Sequence, residues 1–138
     1  MQKRDFEKAV EEIRARDKRY HANSYAFVKD ALDYTLSQGV GDGEHQQSRH
    51  VSGQELLEGF REYSLKEFGP MVPTVFNEWG ITCCRDVGEM VFNLIGVGIF
   101  GKTESDTLDD FTGTYEFHDA FVAPFLPRSS KLVGQVTQ

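Results

Sequence analysis

The stretch Arg49-His50-Val51-Ser52, with Glu55 following, gathers the residue types best suited to holding an anion. Ser52 with Glu55 three residues later is the pattern of a capping box, in which each side chain accepts from a free backbone amide near the other. A helix N-terminus carries free N–H groups and a partial positive charge, and Arg49 and His50 just ahead of it would reinforce both. A phosphate or carboxylate would dock there. Glu55 works against this, because it brings a negative charge into the same turn and already occupies an amide. A ligand site would therefore rest on Arg49, His50 and Ser52, with Arg19 and Tyr20 brought near by folding.

Other groups point away from catalysis. The four histidines, at 21, 45, 50 and 118, are scattered, and no H-E-x-x-H, G-x-S-x-G or phosphate-loop pattern occurs. Gly96-Val97-Gly98-Ile99-Phe100-Gly101 has the outline of a dinucleotide loop but follows a helix pattern rather than a strand. Asp106, Asp109 and Asp110 miss the EF-hand spacing and read as a solvated turn. Cys83 and Cys84 are adjacent and lack the spacing of a zinc pair; they read as small thiols at a helix start in a reducing, cytoplasmic setting. No catalytic residue, metal ligand or cofactor is expected, and the reading leans away from an enzyme.

Charge narrows the partners. Fifteen basic and twenty-two acidic residues in 138 leave a net charge of −7. Residues 82–117 hold two basic side chains, Arg85 and Lys102, against seven acidic ones, a local balance of −5. Nucleic-acid recognition needs Lys and Arg on the reading surface, so this balance argues against it. No apolar run approaches the ~20 residues of a membrane span, and the opening residues are too charged for a signal peptide.

Hydrophobic residues make up 39% of the chain, enough for one packed core, expected over residues 1–127. Phe6, Ala9, Val10 and Ile13 keep the helical period from Asp5 to about Arg16, with Glu7, Glu11, Glu12 and Arg14 off the stripe. A second helix is predicted from about Asn23 to Ser37, capped by Asn23 or Ser24. The glycine-rich stretch 39–48 reads as a mobile loop, and residues 128–138 as a flexible tail. The third helix starts at the Ser52–Glu55 box and stops at Gly69-Pro70, with Val51 and Leu56 as a hydrophobic staple. A short fourth helix, about Pro70 to Trp79, ends at Gly80. A fifth, capped by Thr82, runs to about Ile95.

Beyond Ile95 the period changes from 3.6 to 2. Ile99 to Asp106 reads as one strand. Phe111, Gly113, Tyr115 and Phe117 alternate with polar residues as a second, half-buried one. The order helix, short turn, helix, hairpin predicts an α+β, mostly α fold with a winged-helix-like unit; a helical bundle with a hairpin across it is the alternative. The tail residues Phe117, Phe121, Val122, Phe125 and Leu126 would cover the hairpin core or form a dimer contact.

Several segments carry a resemblance. They include Arg19-Tyr20, Ala31-Leu32-Asp33-Tyr34-Thr35, Arg49-His50-Val51-Ser52-Gly53-Gln54-Glu55-Leu56-Leu57-Glu58-Gly59, Phe68-Gly69-Pro70-Met71, Glu78-Trp79-Gly80, Gly88-Glu89 and Pro124-Phe125-Leu126-Pro127. Over about residues 17–127 the chain resembles a family of uncharacterised small bacterial proteins best represented in planctomycetes and verrucomicrobia. That resemblance implies no activity and assigns no catalytic residues. The functional expectation is a non-catalytic protein-interaction module that binds a protein partner or a second copy of itself. The alternatives are an anion or small-ligand site, or an enzyme, near Arg49 and His50, and thirdly a DNA-binding regulator.

Overall fold

The computed structural model describes residues 3–38, 51–101 and 107–127. Five helices dominate: α1 (Lys3–Arg16), α2 (Ala22–Ser37), α3 (Gly53–Phe68), α4 (Val72–Trp79) and α5 (Cys84–Gly96). A 3₁₀ turn at Gly69–Met71 carries Pro70 between α3 and α4. Short 3₁₀ and π turns occupy Leu108–Phe111, His118–Val122 and Ala123–Phe125. The expected loop 39–48, the expected tail 128–138, and Arg49 and His50 lie outside the described residues.

α2 and α3 form the central pair. They approach so closely that a Cβ built on Gly59 would run into the Thr35 hydroxyl and stand 2.8 Å from its Cβ. Thr35 is fully buried there because its hydroxyl donates to the Ala31 carbonyl one turn back, at 2.7 Å. Ser64 solves the same problem on α3 by donating to the Phe60 carbonyl at 2.6 Å. Small hydroxyls bonded to their own helix can enter a core without leaving an unpaired polar group.

Aromatic rings fill the space between these helices and α4. Phe27 lies 5.7 Å from Phe60, 5.2 Å from Phe68 and 5.3 Å from Trp79, centroid to centroid. Phe76 carries the cluster on to Phe121 at 5.3 Å, tying the C-terminal turns to α4. Such edge and offset contacts add to what area burial alone supplies.

Three expectations about helix starts resolve distinctly. The Ser52–Glu55 capping box is formed, with both bonds at 2.9–3.0 Å. α2 is capped not by Asn23 or Ser24 but by His21, whose Nδ1 accepts from the Asn23 amide at 3.0 Å; Ser24 is buried and donates to the His21 carbonyl. Thr82 is not the cap of α5. Cys83 holds that position without a side-chain bond to a helix amide, and Asp86, two residues into the helix from Cys84, accepts from the Thr82 amide and hydroxyl, both at 2.7 Å.

The α+β class and its winged-helix-like unit are overturned, and so is the hairpin of the alternative layout: the described residues contain no strand. Two features explain this. After α5 the chain enters a helix stop rather than a strand. Gly98 takes φ +84°, its amide donates to the Ile95 carbonyl at 3.0 Å, and the Ile99 amide donates to Leu94 at 2.9 Å. Phe111, Tyr115 and Phe117 then turn toward the core but meet other elements. Phe111 seats on Gly88 of α5, and the Tyr115 hydroxyl donates to the Leu57 carbonyl of α3 at 2.8 Å. Period two places side chains on a face; it does not supply a strand partner.

Gly59→Ala should destabilise the protein by about 1–3 kcal/mol, the usual cost of overpacking, despite alanine's better helix propensity. Urea denaturation of Gly59→Ala and of Thr35→Ala/Gly59→Ala checks the cause: the double variant should be the more stable of the two. An unchanged midpoint for Gly59→Ala would contradict the close crossing.

Candidate functional site

Residues 17–21 form the elbow between α1 and α2, and a polar cluster fixes that elbow to α5. Arg19 donates Nε to Asp17 Oδ1 at 3.0 Å and Nη2 to Asp17 Oδ2 at 2.8 Å, and its Nη2 also reaches Glu89 Oε1 at 3.3 Å. The guanidinium lies 5.1 Å over the Tyr20 ring. Asn93 Nδ2 donates to Asp17 Oδ2 and to the Tyr25 hydroxyl, each at 3.1 Å. The Tyr20 hydroxyl donates to Asp86 Oδ1 at 2.6 Å, while Asp86 Oδ2 takes the two bonds from Thr82. Gly80 sits directly against the Arg19 carbonyl, where a Cβ would collide, and the His21 amide donates to the Trp79 carbonyl at 3.1 Å. The elbow is thereby held by both α4 and α5.

The electrostatics follow from these contacts. The Arg19 side-chain bonds, helped by Asn93, hold the Asp17 carboxyl well below the usual carboxylate range. Burial pushes the Asp86 carboxyl up, but the donors Tyr20, Thr82 and the Cys83 backbone outweigh it and leave Asp86 below its ordinary value. Burial and the bond to Asp86 push the Tyr20 hydroxyl above its ordinary value. Both carboxylates are therefore charged and the phenol neutral across the physiological range. Each of these polar groups is committed to another, so the cluster orients helices.

The structure carries Arg19 and Tyr20 to α5 and places Ser52 at the start of α3, bonded to Glu55. Among the described residues no hydrogen bond or ion pair joins these two places. The sequence reading did not assign Asp17, Asp86, Glu89 or Asn93 to a site; Asp17 and Asn93 lie 76 positions apart. Phe121 is 2% exposed and belongs to the core, whereas Phe125 and Leu126 stand exposed.

The same elbow frames a groove of about 920 Å³ between α1 and α2. Arg14 Nε donates to the Tyr20 carbonyl at 2.9 Å, and Lys18 Nζ to the Arg14 carbonyl at 2.8 Å, so two of the groove-lining cations are held near the elbow. Phe6, Val10, Ala15, Ala22 and Ala26 supply its apolar and small side chains, and Glu7, Glu11, Lys29 and Asp30 more of its charge. A further depression of about 280 Å³, between α4 and the His118–Val122 turn, is lined by Phe76 and Phe117, of which Phe76 is buried. The described residues contain no cluster of histidine, cysteine and carboxylate groups that would hold a metal ion.

No family model, curated protein or solved structure matches this chain.

Tyr20→Phe should destabilise the protein by about 1–3 kcal/mol at pH 7, the usual cost of losing a hydrogen bond to a charged group. Asp86 has a lowered pKa in the folded state, so its contribution is complete above the unfolded-state value of about 4 and is lost as pH falls below it. The gap between wild type and variant should therefore shrink in urea titrations as pH is lowered below about 4. A gap independent of pH would contradict the charge-assisted bond.

Proposed function

We propose that this chain is a non-catalytic protein-interaction module whose working surface is the groove between α1 and α2. The observation that carries this reading is the groove itself: about 920 Å³ of open space lined by alanines, two larger apolar side chains and charges of both signs. An amphipathic helix suits such a surface, because its apolar stripe covers the small residues while its flanking charges meet the walls. The polar cluster beneath supports the reading, since its groups hold the elbow that sets the groove's width. The setting proposed is the cytoplasm, supported by two free thiols, one exposed at Cys83 and one buried at Cys84. Among the described residues no helix is long and apolar enough to cross a membrane.

Ala26 lines the groove and is exposed, so Ala26→Trp fills the groove without entering the core. Affinity capture with wild type and Ala26→Trp in parallel, with circular dichroism to confirm an intact fold, tests the reading. Partners should be lost with Ala26→Trp and kept with Met71→Ala, a change at an exposed side chain outside the groove. An identical set of partners in all three captures would overturn it.

A further inference from the structure

We infer that the groove's occupant is α1 of a second copy of this chain, lying antiparallel to the first about a two-fold axis level with the Glu12–Ile13 peptide. This deepens the interaction-module reading and rests on it.

The inference comes from the charge order along the groove-facing side of α1. Glu7 and Glu11 occupy its first half, and Arg14 and Lys18 its second half and the elbow. Within one copy these spacings are unfavourable. Glu7 and Glu11 are four residues apart on the helix, a spacing at which like charges repel, and Lys18, just past the end of α1, adds a second positive charge close to Arg14. Glu11 and Arg14 have the spacing to pair within the helix. Yet among the described residues none of Glu7, Glu11, Arg14 and Lys18 has an ion-pair partner, whereas Arg19, Lys29, Arg61 and Arg85 each have one.

An antiparallel second copy removes the frustration at a single register. A two-fold axis pairs positions whose numbers have a constant sum. With a sum of 25, Glu7 meets Lys18 of the second copy, Glu11 meets its Arg14, and Val10 meets its Ala15. Symmetry repeats each contact, giving four ion pairs, with the Glu11–Arg14 pairs nearest the axis and the Val10–Ala15 contacts between them and the outer Glu7–Lys18 pairs. That is the self-complementarity an isologous interface requires. From Phe6 to Lys18 the face extends about 18 Å at 1.5 Å per residue, the length of a helix crossing. Each α1 would also contact α2 of the other copy through Ala22 and Ala26, making a four-helix layer. Helix-dipole effects alone would favour acids early and bases late in α1, but they set no such register.

The test is sedimentation equilibrium from about 1 μM to about 1 mM. The wild-type mass should rise from 15.7 kDa toward twice that value, with association weakening as salt approaches about 1 M. Glu7→Lys/Glu11→Lys should weaken self-association at least about tenfold, and so should Arg14→Glu/Lys18→Glu, because each sets like charges face to face. An equimolar mixture of the two should associate again, since the swapped charges then complement each other at all four pairs. If Arg14→Glu/Lys18→Glu fails to fold, mixing Glu7→Lys with Lys18→Glu tests the same register while keeping the Arg14 bond to Tyr20. A wild type that stays monomeric, or a mixture that fails to recover, overturns the inference. If the wild type is monomeric but Ala26→Trp still loses its captured partners, the second copy is ruled out and the groove reading stands. Self-association untouched by both Ala26→Trp and the charge variants overturns the inference, and an identical set of captured partners with Ala26→Trp overturns the groove reading as well.

Discussion

The fold of the N-terminal half hangs on one polar junction, where Asp17, Arg19 and Tyr20 meet Asp86, Glu89 and Asn93 of α5. Residues 17–21 form a break between two helices, and a break has few hydrogen bonds of its own to fix its angle. The junction supplies them from elsewhere in the chain: a two-point Arg19–Asp17 pair, an Asn93 amide shared between Asp17 and Tyr25, and a 2.6 Å bond from Tyr20 to Asp86. Arg19 is half exposed, so its ion pairs alone would contribute little. Tyr20 is 1% exposed, and its bond to a partly buried carboxylate is the stronger element. The ring fills the core while its hydroxyl neutralises the cost of placing Asp86 beside it.

The groove is a product of that junction. Two helices joined by a fixed elbow can pack along part of their length and diverge elsewhere, and here the space left between them is lined with Ala15, Ala22 and Ala26. Arg14 and Lys18 tie the chemistry of the surface to the geometry beneath it, because both line the groove, Arg14 bonding to the Tyr20 carbonyl of the elbow and Lys18, within the elbow, to the Arg14 carbonyl. These groove-lining charges are therefore positioned by the contacts that hold the fold. Along α1 the acids and bases stand in an order that is frustrated in one copy and complementary across two.

Much of the helical framework was legible in the sequence. Ser52 and Glu55 mark a helix start through local chemistry, and Gly69-Pro70 and Gly80 mark stops for the same reason. Val87, Met90, Val91 and Leu94 keep the period that buries them in α5. Where local chemistry offered several caps, the choice was not visible: His21 caps α2 because Ser24 is needed inside, against Met90. The hairpin failed for a related reason. Phe111, Tyr115 and Phe117 do face the core, but Gly88, the Leu57 carbonyl and Phe76 receive them in place of a neighbouring strand. For the site, Arg19 and Tyr20 were picked out, but their partners on α5 were not, since these lie about 70 residues away. Glu7, Glu11 and Arg14 were visible as residues off the apolar stripe, and periodicity alone reads such residues as solvated.

The central claim is that the elbow junction anchors α1 and so creates the groove. Native-state hydrogen exchange on wild type and Asp17→Ala tests it most directly, because Asp17 accepts from both Arg19 and Asn93. The amides of α1 should lose protection by about tenfold in Asp17→Ala, the equivalent of one lost charge-assisted bond, while those of α3 and α4 keep theirs. Equal protection of α1 in the two proteins, or a uniform loss across all helices, would contradict the account.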